Sequence, residues 1–328
     1  MALTKIEWTD HVWNPIRGCS RVSRGCEHCY AEAVATRFSG PGQPYEGLVT
    51  VKNGDRHGEN GRARTGVRGT WNGVVRVIED HMDDPLKWRK PRRIFVNSMS
   101  DLFHEALPDE QILRILNVVR AGHANGHTFQ ILTKRPARMQ ALMSRLQFDA
   151  TDAGRMFLQD RGLNRQGTPI SFAPVMSQMW LGVSVENQAT ADERVPLLRE
   201  TPAAVRFISY EPALEAVTWP DLSGVHWMIL GGESGSHARR CHVDWMRESV
   251  RQCRAAGVAP FVKQLGGRAF ANCSQCDRTI GRGEYGGFVN ACGPTHAALI
   301  TEMLRIRDGK GGDMAEWPED LRVREYPA

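Results

Sequence analysis

The sequence predicts a mixed α/β fold: a (β/α) barrel, partial or complete, of six to seven βα units with a C-terminal cysteine-rich extension. Short apolar runs recur that end in polar or small residues, and stretches with the apolar spacing of helices lie between them. The length of 328 residues with 41% hydrophobic content supplies the core of one large α/β body or of two ordinary domains. A doubly wound open sheet is the alternative use of the same units.

The elements follow in order. A short strand around Val12 to Asn14 leads into the loop Gly18-Cys-Ser-Arg-Val-Ser-Arg-Gly-Cys-Glu-His-Cys-Tyr30. Ala31 to Phe38, rich in alanine and free of glycine and proline, predicts a helix beginning beside that loop. From Gly40 to about Thr70 the chain turns polar and rich in glycine and arginine, as expected of a long irregular insertion. Ile94–Ser98, Thr128–Lys134, Trp180–Glu186, Val205–Glu211, Trp227–Glu233 and Pro260–Gln264 are near-continuous apolar runs, the pattern of parallel strands covered on both faces. Asp109–Ala121, Arg135–Leu146, Ala189–Arg199 and Asp244–Ala256 have amphipathic helical spacing. The resulting division is a βα barrel over 1–266, a cysteine-rich segment over 267–300 and a C-terminal helix and tail over 301–328.

No run has the length of a membrane-spanning helix, and the first residues lack the apolar stretch of a signal peptide, so the expected location is the cytoplasm, with no membrane partner. In that reducing compartment eight cysteines read as metal or cluster ligands before disulfides. The net charge of +5 decides nothing alone, but Lys87, Arg89, Lys90, Arg92 and Arg93 crowd one stretch, and Arg62, Arg64 and Arg68 another. Each is either a solvated face or a nucleic-acid contact.

Cys19, Cys26 and Cys29 lie close enough in sequence for one loop to wrap three thiolates around a single inorganic centre. The spacing admits a [4Fe-4S] cluster with one open iron, a zinc site completed by a distant residue, or three unrelated structural cysteines. In either α/β architecture the ligand site lies at the C-terminal strand ends. Those ends are polar here: Asn97, Ser98 and Asp101; Thr133 and Lys134; Ser184, Glu186 and Asn187; Ser209, Tyr210 and Glu211; Gly231, Gly232 and Glu233; Lys263 and Gln264. Any one alone reads as an ordinary cap for the following helix. As a set they predict a rim for a polar, zwitterionic ligand.

A three-cysteine loop after the first strand, a helix straight after the last cysteine and polar barrel strand ends together resemble the radical S-adenosylmethionine (SAM) superfamily. The nearer resemblance is to a phage- and bacteria-associated family of radical SAM-like proteins with an N-terminal three-cysteine motif. It is carried by Trp8-Thr-Asp-His-Val-Trp-Asn-Pro15, the cysteine loop into Tyr30-Ala-Glu32, Phe95-Val-Asn-Ser-Met-Ser-Asp-Leu-Phe-His104, Leu132-Thr-Lys-Arg-Pro136, Leu181-Gly-Val-Ser-Val-Glu-Asn187, Ser209-Tyr-Glu-Pro212 and Gly231-Gly-Glu-Ser-Gly235. The departure is six residues between the first two cysteines, where the superfamily usually has three.

The resemblance implies that Cys19, Cys26 and Cys29 hold a [4Fe-4S] cluster whose open iron binds SAM, and that reductive cleavage of SAM yields a radical that abstracts hydrogen from the substrate. It places Gly231, Gly232 and Glu233 near the amino-acid moiety of SAM, Ser184 and Glu186 near its ribose or methionyl part, and the Tyr30 backbone at the adenine edge. Asn97, Ser98, Asp101, Thr133, Lys134, Asn187 and Glu211 complete the candidate cofactor-binding set. Tyr210, Cys241 and Lys263 are the candidate catalytic side chains. An electron donor such as flavodoxin or ferredoxin is the implied protein partner.

Cys273, Cys276 and Cys292, followed by His296, have the spacing of a zinc ribbon or an auxiliary iron-sulfur site. The basic stretches and this segment lean toward nucleic acid. The expected substrate is therefore DNA or a modified nucleotide, for example a hypermodified thymidine in phage DNA undergoing isomerisation in the host cytoplasm. The alternatives are a radical SAM lyase that repairs DNA lesions, a non-catalytic zinc-stabilised nucleic-acid-binding protein, and an ordinary phosphate- or sugar-binding barrel enzyme.

Overall fold

Strands and helices alternate through most of the chain, as the apolar runs predict. A computed structural model describes residues 4, 6–51, 67–149, 178–235, 237–272, 279–282, 288–290 and 306–327. The first elements are β1 (His11–Trp13), β2 (Ile16–Arg17), α1 (Tyr30–Arg37), β3 (Val49–Val51), β4 (Gly69–Trp71) and β5 (Arg76–Val77). The alternating part follows with β6 (Arg93–Val96), α2 (Asp109–Ala124), β7 (Thr128–Thr133), α3 (Pro136–Asp149), β8 (Trp180–Val185), α4 (Gln188–Glu200), β9 (Val205–Tyr210) and β10 (Trp227–Gly231). Then come β11 (Cys241–His242), α5 (Val243–Ala255), β12 (Ala259–Gln264), β13 (Ala269–Asn272), β14 (Thr279–Arg282) and β15 (Phe288–Asn290).

Seven strands form one sheet in the order β1-β6-β7-β8-β9-β10-β12. The pairs β1–β6, β6–β7, β9–β10 and β10–β12 are parallel. Strand order follows chain order without a reversal, which is the winding of a partial (β/α) barrel rather than of a doubly wound sheet. Extended chain covers the outer edge of β12: Val262 N donates to Val323 O at 2.8 Å and Glu325 N to Pro260 O at 3.0 Å. An edge covered in this way is protected from pairing with other chains.

The chain divides into two compact units, one of Met1–Gly182 with Glu200–Val205, the other of Val183–Arg199 with Arg206–Ala328. In the first, Ile94, Val96, Phe129 and Ile131 are fully buried on adjacent strands, and α2 lays Ile112, Ile115, Leu116 and Val119 into the core. Burying side chains of this size contributes roughly 1.5–3 kcal/mol each. Pro108 precedes α2 and Asp109 and Glu110 open it, so its N-terminus carries the favoured charge. The expected irregular insertion is partly ordered chain: β3 and β4 pair antiparallel, while 52–66 lie outside the described residues. Behind α1, Ala31, Ala35, Tyr45, Leu48, Trp71 and Met99 form an apolar cluster against which Cys19 and Cys29 pack.

In the second unit β11, β13, β14 and β15 make a small sheet that no apolar pattern announces. Gly232 illustrates how tightly its backbones meet: a Cβ there would stand 2.3 Å from Leu265 O, so this glycine serves close packing within the chain. Residues 306–327 contain two single-turn 3-10 helices, Met314–Glu316 and Glu319–Leu321. Among the described residues no helix is long and apolar enough to cross a membrane.

Candidate functional site

The cysteine loop begins at a position only glycine can occupy. Gly18 has φ +97°, and a Cβ on it would lie 2.1 Å from Val74 O. It bridges in parallel to Ser100, beyond the end of β6, while Cys19 O accepts from Gly73 N at 3.1 Å. The loop therefore follows β2, beside the chain that continues from the C-terminal end of β6, and returns through a short 3-10 turn, Arg24–Cys26, to Cys29, the residue that caps α1. All three cysteines are free and partly exposed.

Two sets of side chains clamp this loop. Ser20 Oγ lies 2.9 Å from His104 Nε2, 2.7 Å from Arg135 Nη2 and 3.0 Å from Glu105 Oε1. His104 Nδ1 accepts from Ala106 N at 3.1 Å, so the ring proton sits on Nε2 and is donated to Ser20, which in turn donates to Glu105. Burial, reinforced by the charge of Arg135, holds His104 below the ordinary histidine range. On the other side Arg21 Nε donates to Glu32 Oε2 at 3.0 Å, a second Arg21 donor meets Glu32 Oε1, and Trp71 N donates to Glu32 Oε2 at 3.0 Å.

Burial and neighbouring groups shift two of the thiols, Cys19 and Cys29. Burial pushes Cys19 up to about 12, with Asp101, Cys29 and Cys26 adding to the rise and Arg135 opposing it. Burial also raises Cys29, while the amides of Glu32 and Ala31 at the start of α1 pull it down. Among the described residues no three His, Cys, Asp or Glu side chains converge as a ready metal-binding group. What the loop does offer is three free, partly exposed cysteines, with the Arg135 guanidinium beside Cys19 and the N-terminus of α1 beside Cys29.

The strand-end residues next to this loop divide by what they touch. Asp101 Oδ1 accepts from Thr133 Oγ1 at 2.7 Å and Phe103 N at 2.9 Å, and its Oδ2 accepts from Lys134 N at 3.0 Å and Arg135 Nη1 at 3.1 Å. Both carboxylate oxygens are thus engaged inside the unit. Ser98 Oγ donates to Asn14 Oδ1 at 3.2 Å, and Ser98 O accepts from Tyr30 Oη at 2.6 Å. Asn97 differs: it has φ 62°, is 3% exposed, and neither polar atom of its amide has a hydrogen-bond partner among the described residues. Left-handed backbone and an unpaired buried amide are both costly, and they coincide at one strand end.

The second unit holds the remaining candidates. Glu186, fully buried, pairs with Arg194 at 3.2 Å, and Arg194 also donates to Ser184 O at 2.8 Å. The backbone amides of Glu186 and Asn187 donate to Thr190 Oγ1 at 3.0 and 3.1 Å. Glu233 receives Arg239 through Nη2 at 2.7 Å and Nε at 3.0 Å, and Lys263 Nζ meets Glu211 Oε1 at 2.6 Å. A Cβ on Gly231 would stand 3.1 Å from Glu211 Oε1, so that glycine makes room for a side chain of its own unit. Tyr210 is fully buried; its hydroxyl donates to Glu215 O, and burial, with Cys241 and Glu215 nearby, raises the phenol. Cys241 is also buried, which pushes its thiol up to about 12. Cys273, Cys276, Cys292 and His296 lie outside the described residues.

Sequence reasoning missed Ser20, Arg21, Glu32, His104, Glu105 and Arg135. One signal was available for Arg135: a cation directly before Pro136 opens α3 against the helix dipole, which calls for a partner elsewhere. The basic stretch from Lys87 to Arg92 precedes β6 and so lies at the other end of that strand from Asn97. There Arg92 stacks over Trp88 at 5.8 Å, Lys87 pairs with Asp84 and Arg93 with Asp10.

No curated protein and no solved structure matches the chain significantly. Residues 3–299 match the family described as Protein of unknown function (DUF5131), a span that covers the cysteine loop, both clamps and every strand of the main sheet. By that match the chain belongs to the DUF5131 family.

Proposed function

We propose that the protein is a radical SAM enzyme, an isomerase in its most economical form, acting on a nucleic-acid base such as a hypermodified thymidine. The observation that carries this reading is the three-cysteine loop: free thiols at Cys19, Cys26 and Cys29, starting just after β2 and ending on the cap of α1. When bound there, a [4Fe-4S] cluster supplies one-electron cleavage of SAM and, through it, hydrogen abstraction from an unactivated carbon.

The chain's own residues then hold and shield. Gly18 and the Ser20 and Glu32 clamps fix both arms of the loop. Asn97, with an unpaired amide beside the same strand ends, is suited to one polar group of a bound ligand. A partial (β/α) barrel with a cysteine-rich extension is the architecture this reading requires, with zinc or a second cluster in that extension. Arg89 and Lys90, on the exposed stretch ahead of β6, would engage phosphates away from the reacting base.

The test is anaerobic, cluster-reconstituted protein incubated with SAM, with and without DNA. The expected result is 5′-deoxyadenosine that forms only with DNA, together with an altered nucleoside by mass spectrometry. Equal SAM cleavage in both arms, with no salt-sensitive DNA binding, would overturn the substrate assignment.

A further inference from the structure

Arg135 is held where its own helix disfavours it. Its side chain is 9% exposed, and the guanidinium is surrounded by acceptors from two other segments: Asp101 Oδ2 at 3.1 Å, Glu105 through Nε, and Ser20 Oγ at 2.7 Å. The nitrogen that meets Asp101 also lies 4.0 Å from Cys19 Sγ. Asp101 is fixed in turn by Thr133 Oγ1, Phe103 N and Lys134 N, so the guanidinium is held by a network and not by one flexible contact. A fork of five donors suits this task, because a lysine would not reach Ser20, both carboxylates and the sulfur together.

We propose that Arg135 is a positioning residue for Cys19, fixing the Cys19–Ser20 segment and setting the reduction potential of the centre that Cys19 helps to hold. The proposal rests on the cluster reading above. Outer hydrogen bonds and charges beside a thiolate ligand tune a metal centre, and a cation there favours the more reduced state. Arg135 therefore raises the potential, and Glu105, the more exposed of its two carboxylate partners, lowers it by offsetting the cation.

The test is a mediated redox titration with dithionite, read by electron paramagnetic resonance, on full-length reconstituted protein and on Arg135→Gln, Arg135→Lys and Glu105→Gln. The expected shift for Arg135→Gln is to lower potential, by about tenfold in the reduction equilibrium, or about 59 mV for one electron. Arg135→Lys should recover part of it, and Glu105→Gln should move the other way. Opposite signs separate a charge effect from simple disruption of the loop. Iron present at full content with one potential in all four proteins would overturn this assignment alone. Wild-type protein that takes up no iron and sulfide would overturn the cluster reading and this assignment with it.

Discussion

Replacing Ser20 by alanine should weaken the protein by more than the size of the change implies. The hydroxyl accepts from a buried histidine and from Arg135, and donates to Glu105. His104 is 1% exposed, so removing its acceptor leaves an N–H without water or protein, at about 1–3 kcal/mol. The bond from the Arg135 guanidinium is charge-assisted and adds about 1 kcal/mol after rearrangement toward Asp101 and Glu105. A total loss of about 2–4 kcal/mol is expected for Ser20→Ala in urea unfolding followed by a probe in the first unit. His104→Ala alone should cost a similar amount, and the double variant little more than either, a coupling of at least about 1 kcal/mol. Native-state hydrogen exchange should show the loss at amides of the cysteine loop. Additive single-variant effects, or a Ser20→Ala change within about 0.5 kcal/mol of wild type, would refute the clamp.

Three further outcomes follow from the geometry. Arg194→Met should destabilise the second unit by about 3 kcal/mol, because it leaves the fully buried Glu186 without its cation, and adding Glu186→Gln should restore much of that loss in denaturant titrations. The hydrogen bond from Arg135 lowers Glu105 to about 2. That contribution is complete above the ordinary carboxylate pKa and is lost as pH falls toward 2; since Glu105 is 63% exposed the effect is small and salt-screened, so acid unfolding of Glu105→Gln should be slightly flatter at low salt and match wild type at high salt. Asn97→Gly removes an unpaired buried amide and relaxes φ 62°, so thermal stability should hold or rise by about 1 kcal/mol while SAM-dependent turnover falls; unchanged turnover would remove Asn97 from the site.

Much of the fold was legible because parallel strands covered on both faces leave near-continuous apolar runs. Trp180–Val185 and Val205–Tyr210 begin at the residues that open their runs, and the four amphipathic helices are found within a few residues of their sequence limits. The small strands were not legible: Cys241–His242 has only two residues, and Gly69–Trp71 pairs across the insertion, so neither carries a periodicity. The site was half legible. That Cys19, Cys26 and Cys29 share one loop is visible in their spacing, but Ser20, His104 and Arg135 are common residue types whose meeting depends on β6 and β7 lying side by side. Gly231 and Gly232 also have a packing role that the sequence did not show, since they leave room for Glu211 and Leu265.

The most direct test of the central claim is the iron and labile sulfide content of anaerobically reconstituted protein, compared with a Cys19→Ala/Cys26→Ala/Cys29→Ala variant. A site-differentiated cluster predicts about four irons and matching sulfide that disappear in the variant, with a reduced-state resonance that changes when SAM is added. Colourless protein that binds zinc through these cysteines, or an iron content the triple variant leaves unchanged, would contradict it.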